Sequence, residues 1–268
     1  MIMAHAPFNT ITFEEIEPGI AVVRLNRPER LNALNLAMLD DFSLLCTRLS
    51  TDKSVRVLIL TGQGKGFCSG ADLMDAATAM KSEHFPDPET FLNSVQERYG
   101  DLIRSLREIP QPIIAAVNGA AAGGGFCMAL ASDIRIATPN AYFVASFINI
   151  GLSGGELGSS YLLPRLIGLS HTADILYTGR KVYAEEAEKM GLVSAVVPFE
   201  ELLETALKYA RMMTAKSPGG LKLTKRALDR NIDAPSLGAA IDLENRNQTL
   251  LIFSGEFAKL VRSFSEKG

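Results

Sequence analysis

The sequence predicts an α/β fold with a helical region at its C-terminal end. Short apolar segments rich in Val and Ile alternate with helical stretches through the first 198 residues, the pattern typical of α/β proteins. After that point the strand-like segments stop and helical patterns continue alone. A chain of 268 residues with 47% apolar residues can build one large core. We therefore expect an α/β core over residues 1–198, followed by a helical region over residues 199–268.

Five segments have the length and the β-branched composition of buried strands. They are residues 21–25, 55–60, 113–117, 134–137 and 193–197. A helix is predicted between the first two, because Met38, Phe42, Leu45 and Leu49 recur at the spacing of one helix face. Residues 74–88 are polar and are broken by two prolines, so they are predicted to form a mobile loop or a loosely packed helix.

The helical region contains four predicted helices. They cover residues 199–216, 221–231, 236–253 and 256–264, and they are separated by an SPGG turn and a DAP turn. Helices of this kind have little core of their own. We therefore expect them to pack on the main body, on a neighbouring subunit, or on both.

The bulk composition argues against several classes of protein. A formal net charge of −3 is not that of a general nucleic-acid binder. No apolar run approaches the roughly 20 residues that span a bilayer, and the first ten residues lack the features of a targeting peptide, so a cytoplasmic location is expected. Cys46, Cys68 and Cys127 show no metal-ligand spacing and are predicted to be buried thiols.

Two glycine-rich turns follow predicted strands. The first covers residues 61–73, and its glycine spacing is not that of a nucleotide-binding loop. The second covers residues 117–130, where three consecutive glycines lead into an apolar helix. The first amides of such a helix have no internal acceptor and favour an anion. The alternative is that these glycines only permit close packing of the helix.

The sequence resembles the crotonase (enoyl-CoA hydratase/isomerase) superfamily in six motifs that occur in the family's order, from about residue 13 to residue 266. The resemblance implies a spiral of ββα turns with a C-terminal helical region that forms a homotrimer or a dimer of trimers. It also implies an acyl-CoA thioester as the substrate. No metal or redox cofactor is implied, and coenzyme A enters only as part of the substrate. The motifs are residues 25–34, 66–73, 114–125, 163–168, 176–179 and 184–194.

The resemblance also assigns a substrate site. The backbone N–H groups of Ala71 and Gly124 would form an oxyanion hole for the thioester carbonyl, which is where charge develops when an enolate forms. The remaining substrate-binding residues would be Arg30, Leu31, Ala33, Asp72, Leu73 and Met74. Arg30 would meet a phosphate of coenzyme A, or else it is an ordinary surface arginine.

The sequence departs from the family's hydratases at both catalytic glutamates. Cys127 and Phe147 occupy the matching positions, so hydration by a glutamate pair is not expected. Glu156 lies where the dienoyl-CoA isomerases of the family carry an aspartate, and a single carboxylate suits double-bond isomerisation. Its alternative role is to stabilise the following helix. Two other functions stay open, namely a hydratase that uses other groups and a non-catalytic acyl-CoA-binding subunit.

Overall fold

The computed structural model describes residues 8–82, 85–255, 257–258 and 261–262. Within them, the larger sheet has six strands in the order β1-β2-β3-β4-β6-β9. β1 pairs with β2 antiparallel, and the other neighbours in this sheet are parallel. These strands are Ile11–Glu17 (β1), Ile20–Leu25 (β2), Val57–Gly62 (β3), Ile113–Val117 (β4), Ile134–Ala137 (β6) and Ala195–Val196 (β9).

A smaller sheet lies beside the first and completes two ββα turns. Its strands, in the order β5-β7-β8, are Ala120–Ala122 (β5), Tyr142–Val144 (β7) and Val182–Tyr183 (β8). The chain passes from β4 through β5 into a helix, and later from β6 through β7 toward another helix. Each of these two turns therefore contributes one strand to each sheet.

The helices pack on both sides of these sheets. A π-helical turn, Leu92–Gln96, joins α3 to α4, and α6 is broken at Gly168, where φ is 79°. The helices are Leu36–Thr51 (α1), Leu73–Met80 (α2), Pro88–Phe91 (α3), Glu97–Glu108 (α4), Gly124–Ala131 (α5), Ser159–Thr178 (α6), Ala184–Lys189 (α7), Phe199–Thr214 (α8), Pro218–Asn231 (α9) and Leu237–Ile252 (α10).

The core consists of two clusters, one on each face of the larger sheet. The first cluster contains the predicted face of α1, whose four apolar residues are buried, and the whole of α5. The second cluster is closed by α8, which packs Leu202, Ala206 and Leu207 against the other face of the sheet. The helix that opens the C-terminal region thus completes the core of the α/β body.

The predicted elements are largely present. All five predicted strands occur, two of them with the predicted bounds, whereas β1, β5, β7 and β8 were missed. Residues 73–80 form a helix that buries no side chain, so the loosely packed helix is the correct alternative there. Residues 83–84 of the predicted loop lie outside the described residues, as does most of the predicted helix over residues 256–264.

α9 and α10 bury little of their own surface. In the described part of the chain, the buried side chain of α9 is Lys225 and that of α10 is Asn247. Large apolar side chains on these helices are exposed, including Leu228 and Leu250. None of the described helices is both long enough and apolar enough to cross a membrane.

Candidate active site

The two glycine-rich turns lie against each other. Cys68 and Ala121 form a parallel bridge, and the Ala122 N–H donates to the Cys68 carbonyl at 2.9 Å. A Cβ atom on Gly70, whose φ is 91°, would lie 2.8 Å from the Ala122 carbonyl oxygen and 3.3 Å from the Gly124 nitrogen. Glycine at this position therefore lets the backbone beside Ala71 approach the start of α5 closely.

The Ala71 amide faces away from its neighbouring segment. The Leu34 N–H donates to the Gly70 carbonyl at 2.7 Å, and the Asp72 N–H donates to the Leu34 carbonyl at 2.9 Å. Because successive amides of extended backbone point in opposite directions, the N–H of Ala71 points to the side that Leu34 does not occupy. Among the described residues it has no hydrogen-bond acceptor.

The Gly124 amide is the first of α5. Its N–H has no acceptor within the helix, and the described residues supply none from elsewhere. Gly123 precedes it with φ 50° and ψ −120°, a conformation that glycine tolerates. The unpaired N–H groups of Ala71 and Gly124 thus lie on backbone segments that contact each other. The Gly124 N–H is at the N-terminal end of α5, which carries the positive end of the helix dipole.

The side chains around the start of α5 are apolar or uncharged. A Cβ atom on Gly123 would lie 3.6 Å from the Phe147 ring, and one on Gly124 would lie 3.6 Å from a methyl carbon of Leu157. The Cys127 thiol donates to the Glu156 carbonyl at 3.5 Å. Burial, with a further contribution from the Glu156 charge, raises the pKa of Cys127, which is therefore a buried neutral thiol as predicted.

Glu156 lies on the loop that precedes α6, with its side chain half-buried. Its carboxylate Oε1 accepts a hydrogen bond from Gln96 Nε2 at 2.6 Å. The carboxylate forms no hydrogen bond to the first amides of α6 within the described chain, so it does not act as the cap of that helix. Glu156 and Gln96 both line a cavity of about 350 Å³, together with Leu92, Ile103 and Leu157.

Sequence reasoning missed Gln96. It lies 60 residues before Glu156 in the chain and closes the π-helical turn Leu92–Gln96. No motif contains it, and the i→i+5 pattern that orients its side chain has no signature in a single sequence.

Residues 28–33 form the loop that the resemblance assigns to coenzyme A. Leu31 and Asn32 have φ values of 49° and 56°, and the buried Asn32 amide holds the loop by donating to the carbonyls of Gln63 and Gly66. The Ser69 N–H donates to the Leu31 carbonyl at 3.0 Å. The predicted coenzyme-binding loop and the first glycine-rich turn therefore form one continuous surface.

Most predicted substrate-binding residues are exposed on this surface. Leu31, Leu73 and Met74 are exposed by 50%, 54% and 64%, whereas Ala33 is buried. Arg30 is also exposed and forms no ion pair with any described residue. An apolar surface beside an unpaired arginine is complementary to a pantetheine chain that ends in phosphates.

Asp72 differs from the other predicted substrate-binding residues, because its carboxylate accepts hydrogen bonds from groups of the protein itself. It accepts from Arg27 Nη2 at 2.9 Å and from the N–H groups of Met74 and Asp75, which caps α2. Burial alone would raise the pKa of Asp72, but the Arg27 hydrogen bond and the two amides outweigh it, and the pKa is lowered. The carboxylate therefore holds the start of α2, from which Leu73 and Met74 project.

Among the described residues no cluster of three or more His, Cys, Asp or Glu side chains is arranged to hold a metal ion. Among the described residues that line the cavity, the charged side chains besides Glu156 are Glu97 and Arg104 of α4. Arg104 in turn donates to Asp101 on its own helix.

Comparison with known proteins identifies the family. Residues 15–268 match the enoyl-CoA hydratase/isomerase family. The chain is 45% identical to a probable enoyl-CoA hydratase of Mycobacterium bovis, over 96% of this chain and 90% of that protein. It is 41% identical to a probable enoyl-CoA hydratase/isomerase of Mycobacterium abscessus of known crystal structure, with a TM-score of 0.87 over 97% of this chain and 96% of that one.

A third similar protein is a monofunctional enoyl-CoA isomerase of Mycobacterium smegmatis. It is 44% identical, and its crystal structure superimposes with a TM-score of 0.73 over 88% of this chain and 99% of that one. The fold that the resemblance implied, an α/β spiral followed by C-terminal helices, is confirmed. The chain therefore belongs to the enoyl-CoA hydratase/isomerase family and is an enzyme of the enoyl-CoA isomerase or hydratase type.

Proposed function

We propose that this enzyme moves the double bond of an enoyl-CoA thioester, with Glu156 as the acid and base. The position of the Glu156 carboxylate supports this proposal. It lines a cavity whose wall includes Leu157, and Leu157 packs at the Gly124 end of the two unpaired amides. This neighbourhood supports a site in which Glu156 and the two amides act on the same substrate.

The amides of Ala71 and Gly124 would bind the thioester carbonyl oxygen. Removal of a proton next to the thioester places negative charge on that oxygen, and fixed N–H donors stabilise the charge without reorganising. Loss of one such donor costs about 2.7–4 kcal/mol in comparable enzymes. Because both donors belong to the backbone, their alignment depends on the glycines that bring the turns together.

Glu156 would move one proton between two carbons. The carboxylate removes a proton from C2 of a 3-enoyl-CoA, and the electrons shift into a dienolate that extends from the thioester oxygen to C4. The same carboxyl group then returns the proton to C4, which yields a 2-enoyl-CoA and regenerates the carboxylate. No co-reactant is required. Acid–base catalysis of this kind contributes about 10²–10⁴-fold to the rate.

The coenzyme would lie over the surface formed by the 28–33 loop and the start of α2. Arg30 would pair with a phosphate, while Leu31, Ala33, Leu73 and Met74 would border the pantetheine chain. The exposure of Arg30, Leu31, Leu73 and Met74 supports this placement, whereas Ala33 is buried. α2 buries no residue, so its position can adjust when a substrate binds beside it.

Hydration is the second candidate, because similar proteins carry hydratase names. A hydratase must activate water, which requires a general base next to the double bond. The positions where the resemblance expects glutamates hold a neutral thiol and a phenyl ring, and neither can accept that proton. The arrangement therefore favours isomerisation by Glu156.

The test is a side-by-side assay with a 3-enoyl-CoA and crotonyl-CoA. We expect the wild-type enzyme to convert the 3-enoyl-CoA into the 2-enoyl-CoA without hydrating it. Glu156→Gln should abolish this conversion and still bind the thioester, whereas Glu97→Gln on the same cavity should remain active. Full activity of Glu156→Gln, or hydration of crotonyl-CoA by the wild type at a comparable rate, would show the proposal to be wrong.

We also propose that the chain assembles with copies of itself through its C-terminal helices, as a trimer or a dimer of trimers. The support is the exposed apolar surface of α9 and α10, which a monomer would leave in water. Their few buried side chains are polar ones, Lys225 and Asn247.

A further inference from the structure

We propose that Gln96 is the residue that positions the Glu156 carboxylate for proton transfer. This inference rests on the proposed function, in which Glu156 is the acid and base. The hydrogen bond from Gln96 Nε2 to Glu156 Oε1 is 2.6 Å long, and both side chains are partly buried on the wall of one cavity. A carboxylate on a loop has freedom to rotate, and this bond removes that freedom.

The π-helical turn explains why Gln96 points at Glu156. The Glu97 N–H donates to the Leu92 carbonyl, five residues back instead of the usual four. The wider turn holds more residues than an α-helical turn, so the side chain of Gln96, at its end, points in a different direction from the one that a continuous α-helix would give it. Turns of this kind cost stability and are frequent at functional sites.

The hydrogen bond leaves one carboxylate oxygen for chemistry. Oε1 accepts from Gln96, while Oε2 has no hydrogen-bond partner among the described residues. A carboxyl oxygen that accepts from an amide keeps this bond whether or not the other oxygen carries a proton. Gln96 can therefore hold Glu156 in one orientation while Oε2 removes the proton from one carbon and returns it to another.

The other charged groups on the cavity do not replace this contact. Glu97 can only accept hydrogen bonds when ionised, and Arg104 donates to Asp101 on its own helix at 3.1 Å. Cys127, which contacts the backbone of Glu156, donates to its carbonyl and not to its carboxylate. Within the described chain, Gln96 is the donor to this carboxylate.

The experiment replaces Gln96 with Met, which has a similar length but no N–H group. We expect kcat for the 3-enoyl-CoA to fall by about 10- to 100-fold, the range expected for a hydrogen bond to a charged group, and KM to change by less than about twofold. Asn93→Leu is the matched control. It removes an exposed amide from the same π-helical turn and should leave both constants unchanged.

A spectroscopic measurement separates this inference from the proposed reaction. The infrared difference between wild type and Glu156→Gln isolates the carboxylate stretch of Glu156, and Gln96→Met should shift that band. An unshifted band, or an unchanged kcat in an active enzyme, would overturn the role of Gln96. If Glu156→Gln keeps full isomerase activity, the proposed function fails, but the band still decides whether Gln96 holds the carboxylate. In the Glu156→Gln background, Gln96→Met should have no further effect on the residual rate.

Discussion

Gly125 shows how closely the two glycine-rich turns approach each other. A Cβ atom at this position would lie 2.3 Å from the Cys68 carbonyl oxygen, which is backbone and cannot move aside. Gly125→Ala should therefore destabilise the protein by about 1–3 kcal/mol and misalign the amides of Ala71 and Gly124. Chemical denaturation and the isomerase assay measure the two effects.

Gly66→Ala is the control for this substitution. It lies in the first glycine-rich turn, but an added Cβ there would make only ordinary contacts with Leu31, at 3.9 Å and beyond. Its stability should stay within about 0.5 kcal/mol of the wild type. If the two variants unfold at the same denaturant concentration, an added Cβ at Gly125 does not lower the free energy of unfolding as predicted.

The cysteines are predicted to be unreactive in the native protein. Burial raises the pKa of Cys46 and of Cys68 to about 12, and it raises that of Cys127 further. Because the thiolate is the reactive form, iodoacetamide at pH 8 should leave all three thiols unmodified for hours and leave turnover unchanged. Intact mass should show three additions only after denaturation. Rapid modification of Cys127 in the native enzyme would contradict its burial.

Among single residues, the sequence predicted only those site residues that lie in a recognised motif. Ala71 and Gly124 were assigned from the family resemblance of the two glycine-rich motifs, and their unpaired amides lie on turns that contact each other. Gln96 lies in no motif, and Arg27 lies in the motif over residues 25–34 without a role assigned to it, although each binds a predicted site residue. Long-range partners of a carboxylate depend on the three-dimensional packing, which a single sequence does not encode in any local pattern.

At the scale of elements, α2 depends on its N-terminal cap. Asp72 accepts from two amides of the first turn and pairs with Arg27, while the helix itself buries no side chain. Asp72→Ala should remove most of what holds α2 and cost about 0.5–2 kcal/mol. Hydrogen exchange should increase over residues 73–80 and much less over α1. Unchanged protection of α2 would contradict this prediction.

The same contact predicts a dependence on pH. The folded-state pKa of Asp72 is lowered below its ordinary value, so its stabilising contribution is complete above the unfolded-state pKa of about 3.9. It is lost as the pH falls through the lower, folded-state value. Acid titration of unfolding should therefore show a smaller loss of stability for Asp72→Ala than for the wild type below about pH 4.

The strands that were missed share a physical cause. β5, β7 and β8 contain two or three residues each, too few to show an alternating pattern. β1 is an edge strand with three glutamates, so its apolar residues are sparse. The predicted strands, in contrast, are mostly buried on both faces, which requires an apolar run that is visible in the sequence.

At the scale of the whole molecule, Asp133 joins the C-terminal helices to the α/β body. It accepts from Arg107 at 3.0 Å and from the Ile113 N–H at 2.8 Å, and it lies 3.2 Å from the ammonium group of Lys225 on α9. Asp133→Ala should leave two partly or fully buried cations without this partner and cost about 2–3 kcal/mol. The measurement is denaturant unfolding together with hydrogen exchange of α9.

Asp101→Ala is the matched control for charge removal. Its ion pair with Arg104 spans one turn of α4, and both side chains are about 60% exposed, at 62% and 61%. Such exposed pairs contribute little, so the change should stay below about 0.5 kcal/mol. Equal effects of the two substitutions would show that Asp133 does not anchor the helices.

The exposed apolar surface of α9 and α10 predicts that the protein associates with copies of itself. Leu228 and Leu250 are 68% and 59% exposed. They lie on helices that each bury one side chain, Lys225 on α9 and Asn247 on α10. A chain of 29.0 kDa should therefore give a mass of about 87 kDa by light scattering as a trimer, or about twice that as a dimer of trimers. Leu228→Glu together with Leu250→Glu should reduce this mass, because charges would enter the interface between copies. Leu44→Glu on α1, an exposed apolar position outside these helices, should leave it unchanged. A monomeric wild type would rule out self-association, and an unchanged mass in the double variant would place the interface on another surface.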